Sequence, residues 1–301
     1  MALYQTASVQ LAVEAAKRAL DDRPAGTPAP EITHLLVTSC TGFFAPGLDL
    51  AIAGALGLSP AVERTLIGFM GCAAAFNALR LAKHIVAGRP EANVLVVCVE
   101  LCTIHLPPDQ ERMSLIVGSL FADGAAACVV GAVEGTPDAL VLDDFATRLA
   151  PDSDDDMRWR IGDRGFVMAL SSEVPRRLGS VASEAVGALF EPYEQPRFWA
   201  IHPGGRAIVD RMVELFAIPP HAVKPSYDVL RDYGNMSSPT ILFVLQRMRE
   251  QLRREATASL GAAVAFGPGL VAEVARVRYV ANTTPELQPL GAAPAHAEAP
   301  A

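Results

Sequence analysis

The chain has 301 residues, 51% of them hydrophobic, with five cysteines and a formal charge of −8 at neutral pH. That length allows one large domain or two ordinary ones around a sizeable core, and the acidic balance argues against a nucleic-acid partner. No apolar run approaches the ~20 residues that a membrane-spanning helix needs.

The opening stretch, MALYQTASVQLAVEAAKRAL, lacks a basic start and an apolar core segment, so it reads as an amphipathic helix rather than a signal peptide. THLLVTSC then reads as a buried strand, LDLAIAGALGL as a helix stopped by Gly57, and TLIGFMG as a second strand. AAAFNALRLAKHIVAG has helical spacing, NVLVVCVEL is another strand, and GSLFADGAAACVVGAVE follows it. Near-continuous Val, Leu and Ile strands between helices imply a sheet covered on both faces. From Gly135 to about Asp163 the pattern weakens, and PDSDDDMRWR reads as a solvated loop or hairpin edge. RFWAIHP is again a strand, GGRAIVDRMVELFAI and SPTILFVLQRMREQL are helices, and GAAVAFGPGLVAEVARVRYV is a closing pair of strands. Two halves of βαβ type point to a duplicated α/β fold, divided as 1–134 and 135–281. The remainder, 282–301, is rich in Ala and Pro and is expected to be a disordered tail.

The cysteines (Cys40, Cys72, Cys98, Cys102 and Cys128) lie in or beside apolar segments. Cys98 and Cys102 are four apart, but no second pair or nearby His completes a zinc set, so no metal site is expected and a reducing cytoplasm is the natural compartment. Cys72 follows a glycine-flanked strand and opens a helix, where free N–H groups and the helix dipole favour thiolate. Taken alone it is as readily core filler as nucleophile. His202 in WAIHPGG and Asn235 in YGNMSS also sit where a strand or loop meets a helix. Each has a plain reading, as a satisfied structural histidine or a helix cap. Together, a thiol, an imidazole and a carboxamide can form a nucleophile and donors for a developing oxyanion.

GFMGCAAAFNALRLAKHI, WAIHPGG, YGNMSSPTILFVL and AFGPGL, in that order, resemble the chalcone synthase or type III polyketide synthase family of the thiolase superfamily. CTGFFAPGLDL is closer to bacterial members that make alkylpyrones or alkylresorcinols. The resemblance runs from about residue 3 to about 281 and implies a thiolase-like fold layered α-β-α-β-α. Family members usually carry further residues upstream, which supply strands and basic groups that grip CoA phosphates, so the first half is expected to be incomplete.

By the same resemblance, Cys72 takes the starter acyl group from its CoA thioester, His202 keeps Cys72 ionised, and His202 with Asn235 receives the malonyl-CoA thioester oxygen as CO2 leaves. Acyl-CoA and malonyl-CoA are the implied partners, a homodimer the implied assembly, and no metal or redox cofactor is implied. Phe121 matches one gatekeeping Phe, and Met168 in GFVMAL stands where a second is expected. Cys40, Cys102 and His105 fall in cavity-lining segments, although core packing or a solvated turn explains them equally. Gly267, Pro268 and Gly269 match the GFGPG loop, with Ala265 in place of its first Gly. Three other readings stay open. A ketoacyl synthase III-like enzyme usually carries its histidine in a PHQAN-like segment. A papain-like hydrolase shares the Cys–His–Asn order but lacks support from the α/β rhythm. A truncated homologue could serve only as a dimerisation partner.

Overall fold

Strands buried on both faces decide the architecture. The computed structural model describes residues 1–22, 29–106, 112–132, 136–163, 165–171, 173–191 and 193–281; the expected tail lies outside them. The first half runs α1 (Ala2–Asp21), β1 (His34–Ser39), α2 (Leu48–Leu56), β2 (Glu63–Gly68), α3 (Ala74–Gly88), β3 (Val94–Leu101), α4 (Arg112–Leu120) and β4 (Asp123–Val130). The second runs β5 (Ala139–Leu149), β6 (Met157–Gly162), β7 (Gly165–Leu170), α5 (Val174–Gly187), β8 (Phe198–Ile201), α6 (Arg206–Phe216), α7 (Pro220–Tyr233), α8 (Thr240–Glu255), β9 (Ser259–Gly267) and β10 (Val271–Val280).

The first sheet has the order β2-β1-β3-β4, parallel except for β4; the second has the order β5-β10-β9-β8, with only β8 and β9 parallel. On β1 and β3, Leu35, Val37, Leu95, Val97 and Val99 meet α1 and α2, while Leu36, Val94, Val96 and Cys98 meet α3 and α8. On β8 and β9, Trp199, Ile201, Ala262 and Val264 meet α5, α6 and α7, while Phe198, Ala200, Ala263 and Ala265 turn to α3 and α8. Because successive side chains point to opposite faces, both sheets are covered twice and share one helical layer. The result is the α-β-α-β-α stack of a thiolase-like fold.

The duplication is visible in the pairing: β1 and β3 with antiparallel β4 match β8 and β9 with antiparallel β10. In the second sheet β5 covers the outer edge of β10, whereas no described strand covers β4. A buried carboxylate ties the halves. Glu273 on β10, 2% exposed, accepts from Asn77 (3.0 Å) and Arg80 (2.8 Å) on α3 and from Thr147 (2.7 Å) on β5. This fixes α3, which the turn bearing Cys72 leads into, against the second sheet.

Several elements lie where the sequence pattern reads as weak. β5 is a full strand although Asp143 and Asp144 interrupt its apolar run. MRWRIG is one strand of a two-stranded sheet with GFVMAL, so the hairpin-edge alternative is the correct one. α7 begins with Pro220 at its first position, where the missing N–H costs nothing.

Candidate active site

Cys72 sits in a single 3-10 turn, Gly71–Ala73, that feeds directly into α3. The chain reaches it through a tight elbow after β2, with Phe69 and Gly71 both at positive φ (58° and 63°). A Cβ on Gly71 would overlap the Pro268 ring, so glycine is required both by the dihedral and by the close approach. Gly267 packs closely too, though less tightly, with its Cβ position 3.1 Å from Met70 O and 3.2 Å from Ala73 Cβ. The Gly267–Pro268–Gly269 loop is therefore a backstop for the elbow.

Asn235 is pinned beside the thiol. Its N–H donates to Leu120 O and its carbonyl accepts from Ala122 N, both at 2.9 Å, bracketing Phe121. Its Oδ1 receives the Cys72 thiol at 3.9 Å and the Ser237 N–H at 2.8 Å, and Nδ2 donates to Gly204 O at 3.3 Å. Gly204 also lies against the His202 ring, its Cβ position 3.7 Å from the imidazole. His202, at the end of β8, is 1% exposed, and neither ring nitrogen has a partner among the described residues. Desolvation pushes the Cys72 thiol up to about 11, with the Glu100 charge adding to it and hydrogen bonds to Ser237 and Asn235 opposing it. Desolvation also pushes His202 down to about 3. Each group alone is thus neutral. The resemblance implies an ion pair, and that state requires the proton to pass from sulfur to the ring; among the described residues Cys72 and His202 share no hydrogen bond and are linked through Asn235 and Gly204.

A cavity of about 440 Å³ opens at Cys72 and is lined by Cys40, Cys102, His105, Phe121, Met168 and Pro268 among others. Gly267 and Gly269 flank this wall rather than line it. The two-stranded β6–β7 sheet adds Met157, Trp159, Phe166 and Val167. His105 fixes that sheet in place. It stacks on Phe166 (4.2 Å, 4°), donates from Nε2 to Thr41 O (2.5 Å) and accepts the Phe166 N–H at Nδ1 (3.4 Å). Burial keeps its pKa below the usual histidine range, in line with a neutral ring donating and accepting at once. Beneath the cavity lies Glu100, fully buried, accepting from Cys40 N (2.8 Å), Thr41 Oγ1 (2.9 Å) and Ser238 Oγ (2.7 Å). Burial pushes Glu100 up to about 7 despite those bonds. Among the described residues no cluster of three or more His, Cys, Asp or Glu is placed to hold a metal ion.

A thiol at a helix start, with a carboxamide beside it and an imidazole behind, is equipped for acyl transfer. The profile for the N-terminal domain of chalcone and stilbene synthases matches residues 1–134, and that for the C-terminal domain matches 142–281. The chain belongs to the chalcone and stilbene synthase family. It is 38% identical over 283 residues to the alpha-pyrone synthesis polyketide synthase-like Pks18 of Mycobacterium tuberculosis, covering 91% of this chain and 71% of that one. Bisdemethoxycurcumin synthase of Oryza sativa subsp. japonica is 37% identical over 281 residues, covering 88% and 69%. Among solved structures, the type III polyketide synthase domain of Steely1 from Dictyostelium superposes with a TM-score of 0.84 at 29% identity, covering 93% of this chain and 78% of that one. PKS-I of the brown alga Ectocarpus siliculosus gives 0.83 at 32%, covering 92% and 76%. This chain is thus a type III polyketide synthase by family, a group of acyltransferases.

Within this type III polyketide synthase, three site residues escape the sequence reading. Trp159 is hidden in an acid-rich stretch. Glu100 is a lone carboxylate at the end of an apolar strand, and that placement was its available signal. Ser237, at φ 59° beside Cys72, lies within the YGNMSSPTILFVL segment, but the sequence gives it no role of its own.

Proposed function

We propose that Cys72 attacks the carbonyl carbon of an acyl-CoA starter, releasing CoA and leaving the acyl group as a thioester on its sulfur. His202 accepts the thiol proton and returns it to the departing CoA sulfur. Malonyl-CoA then loses CO2, and its thioester oxygen becomes enolate-like between His202 and Asn235 Nδ2, donors fixed before the charge develops. The carbanion attacks the Cys72 thioester, frees the sulfur, and repeated cycles give a chain that cyclises to an alkylpyrone- or resorcinol-type product. The likeness to an alpha-pyrone synthesis enzyme supports that product class. Electrostatics and water exclusion carry the decarboxylation, so no metal or redox cofactor is invoked.

The observation that carries this reading is Asn235, which touches both the Cys72 thiol and the Gly204 turn under His202. The five free thiols fit a reducing cytoplasm. We further propose a homodimer formed at β2. Every residue of that edge strand but Ile67 is exposed, and Phe43, Leu66, Phe69 and Met70 stand 54%, 45%, 38% and 45% exposed around it.

The test is incubation with a panel of acyl-CoAs plus malonyl-CoA, with products and protein adducts read by mass. Cys72→Ala is expected to abolish starter loading. Asn235→Ala should impair malonyl decarboxylation more than loading; equal losses in both steps would count against its assigned role.

A further inference from the structure

Cys40 borders the cavity with every polar group it owns engaged. Its N–H donates to Glu100 Oε2 (2.8 Å) and its carbonyl accepts from Trp159 Nε1 (2.6 Å). Its sulfur accepts the N–H of Gly71 at 3.1 Å, and its S–H faces Gly71 O at 3.9 Å. Gly71 is the residue before Cys72, in an elbow where Phe69, a non-glycine, already sits at φ 58°. Such a backbone persists only where its surroundings over-determine it. Pro268 closes the elbow on one side, and the Cys40 sulfur meets the Gly71 backbone.

We propose that Cys40 is a positioning residue for the nucleophile: by accepting the Gly71 N–H, its sulfur holds the elbow against Pro268 and aims the Cys72 thiol at Asn235 and Ser237. The inference rests on the reading of Cys72 as nucleophile given above. A role for Cys40 as a second acyl acceptor fits the geometry poorly, because it is 2% exposed and its sulfur is bonded to backbone. Burial also holds its thiol well above the usual range.

The test compares iodoacetamide labelling of Cys72, mapped by peptide mass, in the parent chain, Cys40→Ala and Cys40→Ser from about pH 6 to about pH 10. The alanine variant has no acceptor for Gly71. It should label Cys72 about tenfold more slowly at neutral pH, with its pH profile moved to the alkaline side as the thiol leaves Ser237 and Asn235. The serine variant keeps an acceptor and should stay within about threefold of the parent. Should the alanine variant not fold, Cys40→Val makes the same comparison at conserved volume. An unchanged profile in a folded acceptor-less variant overturns the proposal, as does a serine variant as slow as alanine. An acyl adduct on the Cys40 peptide after incubation with acyl-CoA overturns it too. Labelling needs no acyl-CoA, so the result stands whether or not the chain consumes malonyl-CoA.

Discussion

His202 is buried with neither ring nitrogen partnered among the described residues, a state that costs about 1–3 kcal/mol per orphaned group. A structural histidine usually satisfies at least one nitrogen, and the role proposed above gives both ring nitrogens a use. In His202→Gln the thiol loses that acceptor, and only its burial-raised pKa of about 11 governs reactivity. Cys72 labelling should then fall at neutral pH and keep climbing beyond about pH 9; labelling as fast as the parent at neutral pH would remove His202 from the loading step. Glu100 makes a different pH prediction. Its carboxyl titrates near 4.5 when unfolded and about 7 when folded. Between those values only the unfolded chain releases the proton, so stability falls as pH rises from the lower value and levels off above the higher. Between pH 5 and pH 8 the loss should be about 2 kcal/mol by denaturant titration. Glu100→Gln should lack this component, and an identical pH slope in both proteins would refute it.

At the scale of elements, the β6–β7 sheet pairs with neither large sheet. Its position depends on two side-chain contacts, Trp159 to Cys40 O and His105 against Phe166, and on a backbone bond from the Gly269 N–H to Met157 O at 2.9 Å. Trp159 therefore sets one wall of the cavity, and Trp159→Ala should shift the product masses towards longer polyketides. An unchanged product ladder would mean that another wall limits elongation. This element is also where sequence reading was weakest. MRWR follows DSDDD, and its alternation is too short to stand out from a solvated turn. By contrast β3 and β9 are legible as near-continuous apolar runs buried on both faces, and α8 because its apolar residues repeat at helical spacing. β5 fell between these cases. Arg278 pairs with Asp143 and Lys83 lies 3.8 Å from Asp144, so the acidic pair that broke its pattern is matched in the fold.

Across the whole molecule, Cys72 comes from the first half and His202 and Asn235 from the second, so neither half holds the site alone. Their co-location was legible only through the resemblance, since spacing of 130 or more positions carries no local signal. What no pattern conveyed was the support around them: Glu100, Ser237 and the Cys40 contacts arise from tertiary approach. The exposed β2 edge belongs to this scale too. An unpaired strand edge invites a partner, and in the proposed homodimer two-fold pairing of β2 with its copy would close the assembly. Sedimentation should show a dimer that Leu66→Glu converts to monomer; a parent chain that sediments as a monomer would contradict the proposed interface.

Pro268 occupying the side-chain space of Gly71 has a consequence for how this sequence can drift. A smaller residue at 268 would free the space but leave the left-handed dihedral at 71, so a side chain there stays strained even after its neighbour changes. The constraint runs one way. A change at 268 removes one of the two obstacles, whereas a change at 71 meets both the Pro268 ring and the left-handed dihedral.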